Sequence, residues 1–272
     1  MKKHLLIICT FFLTSSLIAQ STNQRIYKQV ANFGLGLSAF RDLATSPLTY
    51  RGVTFAVSPI SRWKIDDKKE VFFGLDVHFG ASLIAVGGES DISFLIAPAI
   101  NYSRLYALKK LAKKGWDYKI GGKVDVWTLI RTNPSLGNNT LGFELFPTLF
   151  GSFKITKSFE RHPFLRKKRS TKKQSFSLSV DVGLWNNTLR NDFAYTNHTP
   201  FFNSRDFLRD YEFQWFNGFR IKTAIDYILY SNKNSNAIKI AYKWEGLHSG
   251  RTQDRFAIGI GYIQVALLHR LN

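Results

Sequence analysis

Six histidines, one cysteine and a few acidic pairs are the residues whose types could carry chemistry. His248 and Ser249 stand side by side, a base next to a hydroxyl. Neighbours in an extended strand point to opposite faces, so this His cannot readily take the proton of this Ser and make it a nucleophile. Asn197–His198–Thr199 and Asp206 share one long connection with Phe201 and Phe202. An imidazole and a carboxylate in one loop are the parts of general acid–base work. Asp66–Asp67 is a further acidic pair, but strand parity puts it at the opposite end from that loop. His4, His162 and His269 stand alone, and no two histidines have metal-ligand spacing, so no metal site is expected. Cys9 is the only cysteine, which excludes a disulfide scaffold, a thiol enzyme, a Cys-based zinc site and an iron–sulfur centre. Gly34–Leu35–Gly36 and Gly121–Gly122 sit in strand patterns with no helix following, so they are not phosphate loops, and no cofactor is expected.

The elements that must position these residues are strands. In Tyr211–Tyr227 one face carries Tyr211, Phe213, Trp215, Phe219, Ile221, Ile225 and Tyr227, and the other Glu212, Gln214, Gly218, Arg220, Lys222 and Asp226. A helix would mix the two sets; a strand separates them. The same alternation sets Phe73, Leu75, Val77 and Phe79 against Gly74, Asp76, His78 and Gly80, and Ile238, Ile240, Tyr242 and Trp244 against Lys239, Ala241, Lys243 and Glu245. Ten strands are predicted, over 29–41, 49–63, 70–86, 90–106, 115–131, 139–156, 174–191, 211–230, 236–248 and 254–271. Turn residues such as Gly87–Gly88, Asn133–Pro134 and Ser249–Gly250 separate them. The last strand changes phase: Phe256, Ile258, Ile260 and Tyr262 share one face, then Ile263, Val265 and Leu267 the other. A bulge near Tyr262 or a partly buried strand end would each explain the switch.

Residues 1–20 read as a secretory signal peptide: Lys2, Lys3 and His4 precede an apolar stretch over Leu5–Leu13, and Ala19–Gln20 is a cleavage site by pattern. Residues 21–272 then form one domain. The chain has 272 residues, 44% hydrophobic and 15% aromatic, which excludes a disordered protein. Its mean hydropathy of −0.14 is too polar for a helical membrane protein.

Alternation alone does not say which face is inside. The strands are mostly 13 residues or longer by this reading, where soluble strands average about 5–6 and membrane strands need about 9–11. The bulky Phe, Tyr and Trp share one face, and Gly, Ala, Ser and the charges share the other. Trp63, Trp116, Trp215 and Trp244 fall near strand ends on the apolar face, as an interfacial aromatic girdle requires, whereas Trp127 and Trp185 fall on the other face. On these features the mature chain resembles the outer-membrane β-barrel proteins of Gram-negative bacteria, and the Ala–Gln ending of the signal resembles that of Bacteroidota members. The resemblance implies a single antiparallel up-and-down transmembrane barrel of about ten strands in the outer membrane, reached by Sec-type export, with outer-membrane lipids as its surroundings. The C-terminal His269–Arg270–Leu271–Asn272 departs from the aromatic ending common in such barrels.

The polar face is then the lumen. It collects the acids Asp76, Asp117, Asp125, Glu144, Asp181, Glu212, Asp226 and Glu245, the bases Lys119, Lys123, Arg220, Lys222, Lys239 and Lys243, and His78. Charges held away from water must be paired, and Arg220 and Lys222 project among Glu212, Asp226 and Glu245. Barrels of about eight strands are filled by side chains, while about sixteen leave a channel, so an ion-paired, mostly plugged lumen is expected. The excess of bases, 38 Lys and Arg over 19 Asp and Glu, concentrates elsewhere. Lys154, Lys157, Arg161, Arg166, Lys167, Lys168, Arg169, Lys172 and Lys173 lie between the sixth and seventh strands against the single acid Glu160, and Lys109, Lys110, Lys113 and Lys114 between the fourth and fifth. No nucleic-acid-binding module accompanies them; the plain reading is solvated turns, and the functional one is contact with lipid phosphates or a periplasmic anionic partner, which fits an exported chain.

The expected function is a non-enzymatic outer-membrane barrel, structural or a binding platform. The alternatives are a lipid- or peptide-hydrolysing barrel and a soluble exported barrel that binds an apolar ligand. An even strand count puts both chain ends on the periplasmic side in such barrels, with the two basic connections there and the long connection 192–210 outside.

Overall fold

The computed structural model describes residues 25–44, 46–86, 89–112, 115–134, 141–161, 172–191, 211–231, 236–250 and 255–271. Among them every regular element is a β-strand: β1 (Arg25–Asp42), β2 (Ser46–Ile65), β3 (Lys69–Val86), β4 (Glu89–Ala107), β5 (Trp116–Thr132), β6 (Leu141–Arg161), β7 (Lys172–Asn186), β8 (Thr188–Asn191), β9 (Tyr211–Gln214), β10 (Phe219–Tyr230), β11 (Asn236–Ser249) and β12 (Phe256–Leu271). The pairing is antiparallel throughout. It runs from β5 through β4, β3, β2 and β1 to β12, β11, β10, β7 and β6, and β6 pairs back onto β5. The sheet therefore closes on itself, which leaves no open edge along the wall. β8 continues β7 along β6, and β9 continues β10, so the twelve segments make ten staves.

β1 pairs with β12, with Ile26 opposite Leu271, so both ends of the described chain lie at one end of the barrel, called here the terminal end. The turn at Asp66–Lys68 and the connections after β4, β6 and β10 lie there as well; the other five connections lie at the far end. Asp66 Oδ1 accepts from the backbone N–H groups of Lys68 and Lys69, at 2.8 and 2.7 Å, which makes Asp66–Asp67 a turn.

The bulky apolar side chains of the alternating strands point outward. Phe33, Leu35, Leu37, Phe55, Phe79, Phe94, Ile100, Ile240, Ile263 and Val265 are all exposed on the wall. Three irregularities shift the parity. In β1, Val30 and Ala31 both face out where the register against β12 slips. In β2 the pairing slips between Val57 and Ile60, so Pro59 and Ile60 both face out, and Trp63 arrives on the inner face. Pro59 cannot donate to the ladder, which fits its place in a bulge. On β7, Leu184 and Trp185 both face out, opposite the slip between Leu149 and Phe150.

β12 has no bulge at Tyr262; its pairing runs unbroken from Phe256 to Leu267. The apolar set changes face because the inward residues Phe256, Ile258, Ile260 and Tyr262 are themselves buried in a core inside the barrel. The stave predicted over 211–230 is interrupted instead at Trp215–Gly218. Phe216 has φ 52 there and Gly218 φ 87. A bulky residue at positive φ is a true outlier; Phe216 is held by stacking on Trp185 with ring centroids 5.2 Å apart.

Candidate functional site

The lumen is the candidate site, and β5 reads its layers in order. From the terminal end its inward residues are Asp117, Lys119, Lys123, Asp125, Trp127, Leu129 and Arg131.

In the first layer Glu70 of β3 is the centre. It takes Lys119 Nζ at 2.9 Å and Lys154 Nζ at 2.6 Å, and it accepts from Trp63 Nε1 at 2.9 Å. Asp117 adds a 3.2 Å contact to Lys119 from a half-exposed position. Trp63 packs with Tyr27, Ile228, Ala237 and Leu268. It is therefore an inner residue and not part of an outer girdle, because the bulge at Pro59 reverses the faces of β2. Lys154 likewise belongs to this layer and not to the basic connection: β6 extends to Arg161, and Lys154 points inward.

The second layer holds the tightest group. Arg220 Nη2 lies 2.7 Å from Asp125 Oδ1 and 2.5 Å from Glu245 Oε1. Lys222 Nζ lies 2.7 Å from Asp125 Oδ2 and 3.0 Å from Glu245 Oε2. The Arg220 side chain also donates to the Phe146 carbonyl at 3.3 Å. Lys123 pairs with Asp181 at 2.9 Å. Lys239 and Asp226 approach only to 3.9 Å. Asp76 accepts from Ser58 and from Asn101, the latter at 3.0 Å. His78 is buried, with neither ring nitrogen hydrogen-bonded, and packs edge-on against Tyr262. Arg220 thus meets Asp125 and Glu245, and not the Glu212 and Asp226 its sequence neighbourhood suggested.

The third layer is apolar. Trp127, Leu129, Phe146, Phe256, Ile258 and Ile260 are buried together with Phe40, Tyr50 and Leu95. Phe146 packs on Trp127 at 5.7 Å and stacks on Phe256 at 5.6 Å between centroids. Trp127, which the alternation set on the polar face, is inward-facing as that parity requires, and lies in this core. The expectation of a lumen filled by ion pairs is corrected here: the cross-section is closed by hydrocarbon and aromatic side chains as well.

The fourth layer caps the far side. Arg131 contacts Asp42 at 2.5 Å and is also paired with Glu144, and Arg190 reaches Asp42 at 2.7 Å. Guanidinium groups lie against both sides of the apolar layer: Arg131 and Arg190 over Phe256 at 5.2 and 4.9 Å, Arg220 over Trp127 at 5.0 Å. Such cation–π contacts gain strength where water is excluded. Glu212 has inward parity but lies exposed at the far rim, outside this network, where it accepts from Gln214 at 3.5 Å.

Asp42, Glu70, Arg131, Lys154 and Arg190 are network members that alternation did not single out. Each sits at or beyond the edge of a predicted strand, beside a bulge, or in a stretch taken for a connection. Two adjoining polar chambers, of about 160 and 290 Å³, occupy the terminal half and share Trp63, Glu70 and Lys154. The larger reaches Arg25, Asp66 and Asp67 at the rim, and the smaller ends at the second layer.

On the outside, Trp116, Trp215 and Trp244 are exposed. Trp185 joins them through the bulge at Leu184, in a cluster with Trp215 and Phe216. Lys157 lies over Trp116 at 4.9 Å. Ser249 is buried and His248 is exposed on the opposite face. Lys172 and Lys173 are half-buried at the start of β7; Arg166, Lys167, Lys168 and Arg169 lie outside the described residues, as do residues 1–20, read from the sequence as a signal peptide, and Lys113, Lys114, His162, His198 and Asp206. Among the described residues no three His, Cys, Asp or Glu side chains gather as metal ligands.

No protein-family model and no curated protein matches the chain. Among solved structures, the transport unit of the autotransporter AIDA-I from Escherichia coli is similar with a TM-score of 0.40 and 8% identity, over 95% of this chain and 96% of that one. The outer membrane protease OmpT from Escherichia coli is similar to the same degree, TM-score 0.40 and 8% identity, over 94% of this chain and 99% of that one. Similarity of this degree assigns no activity.

Proposed function

We propose that this protein is an outer-membrane β-barrel that does not conduct: a structural element or binding platform, exported by the Sec route on a signal peptide of residues 1–20 that is then removed. The observation that carries the closed state is the apolar layer across the lumen, where Trp127, Phe146, Phe256 and Ile260 are each no more than 1% exposed. A closed barrel satisfies every backbone group within its own wall, and its outward apolar face suits lipid, the solvent in which such a wall is stable. The exposed tryptophans supply interfacial anchors. The terminal end is then periplasmic, and the basic connection after β6, continuing from Lys172 and Lys173, meets periplasmic anionic partners or inner-leaflet headgroups. The connection 192–210 is extracellular.

The test is reconstitution in planar lipid bilayers. The closed lumen gives no steady conductance over a range of voltages. Reproducible ohmic steps would overturn it.

A further inference from the structure

The smaller chamber has a charge arrangement that the ion-pair network does not consume. Five carboxylates line it, Glu70, Asp76, Asp181, Asp226 and Glu245, and so do five ammonium groups, Lys123, Lys154, Lys222, Lys239 and Lys243. Three of these acids are answered: Glu70 by Lys154 at 2.6 Å and Lys119 at 2.9 Å, Asp181 by Lys123 at 2.9 Å, and Glu245 by Arg220 at 2.5 Å and by Lys222 at 3.0 Å, which also holds Asp125 at 2.7 Å. Asp226 and Lys239 are at the limit of contact, 3.9 Å.

Asp76 and Lys243 remain. Asp76 has only neutral donors, Ser58 and Asn101. Lys243 has no carboxylate partner among the described residues; its Nζ lies over the Tyr262 ring, 5.8 Å from the centroid. Tyr262 lines the same chamber. One residual negative and one residual positive charge therefore face a single polar space without closing on each other.

The two charges left without an ion-pair partner, one of each sign, select the ligand. A simple anion would answer Lys243 but face Asp76 as a like charge in a confined space, and a simple cation would do the reverse. A molecule with no net charge and both ends charged answers both. A chamber of about 160 Å³ holds far more than one water, which needs about 10–15 Å³. It is also smaller than the roughly 300 Å³ floor of drug-sized sites. The larger chamber, which reaches the rim of the terminal end, adjoins it at Trp63, Glu70 and Lys154.

We infer that the chamber binds a small zwitterion of the amino-acid class, carboxylate toward Lys243 and ammonium toward Asp76. This rests on the binding-platform reading above and gives that platform a ligand class.

Saturation-transfer NMR on the full chain in detergent micelles tests it, with L-alanine as the probe and propionate and ethylamine as its two half-ligands. Saturable alanine binding is expected, with each half-ligand displacing it at least tenfold less well. Lys243→Gln and Asp76→Asn should each weaken alanine binding at least tenfold. No saturable binding of alanine by the wild-type chain would overturn the inference, and so would propionate displacing alanine as well as alanine itself. Alanine binding unchanged in both variants would overturn it too. If either variant does not fold, the ranking on the wild-type chain decides alone. A conducting barrel would sink the closed-lumen reading and leave this ranking untouched.

Discussion

Arg220 on β10 reaches across the lumen to Asp125 on β5, 2.7 Å away, and neither side chain has any solvent exposure. β6 and β7 stand between these staves in the wall, so the contact is a chord through the interior. The same guanidinium contacts Glu245 and lies against Trp127, which ties the charged second layer to the apolar third.

Removing that centre should be costly. Arg220→Ala leaves Asp125 and Glu245 short of a counter-charge, and breaking a buried pair in this way costs roughly 3–5 kcal/mol. Heat or urea unfolding in detergent, followed by tryptophan fluorescence, should show the loss. An unchanged midpoint would mean that the pair is solvated.

Truncation within the apolar layer acts by a different mechanism. Ile260→Ala should destabilise the barrel by about 2–5 kcal/mol, through lost transfer energy and a residual cavity. The same change at Ile263, exposed on the wall three residues on, should cost much less. Equal losses at the two positions would argue against a packed layer at Ile260.

How far these layers were legible in the sequence depends on where parity held. Ten staves and most inward charges followed from alternation, because β3, β5 and β11 run without a bulge. Trp63 and Trp185 were misassigned because one extra residue reverses every face beyond it. Pro59 inside a strand pattern was the signal available for Trp63; nothing comparable marks Leu184. The apolar layer was hidden for another reason. Phe256, Ile258 and Ile260 look like a lipid face, and only their neighbours around the closed barrel show that they point inward. Arg190 and Asp42 lie 148 residues apart, a pairing that periodicity does not contain.

The lipid-facing wall makes its own prediction. Ile240→Lys places an ammonium mid-strand on an exposed apolar surface, where a membrane barrel loses about 2–4 kcal/mol. Folding into bilayers from urea measures it. A loss of a few tenths of a kcal/mol would fit a wall in water.

Sidedness is checked with trypsin on intact cells expressing the chain. Arg166–Arg169 is a dense cleavage run, and a periplasmic terminal end keeps it protected until the outer membrane is permeabilised. Cleavage on intact cells would reverse the orientation and bring the basic connection to the outer-leaflet phosphates.

The most direct test of the central claim, that the apolar face of this barrel meets hydrocarbon, uses Ile240 and Val265. They are paired neighbours on β11 and β12, both exposed on the wall. Spin labels at the two positions, in the chain reconstituted in liposomes, should relax strongly with molecular oxygen and weakly with a water-soluble nickel chelate. Strong relaxation by the chelate at both positions would show that this wall faces water and would contradict the account.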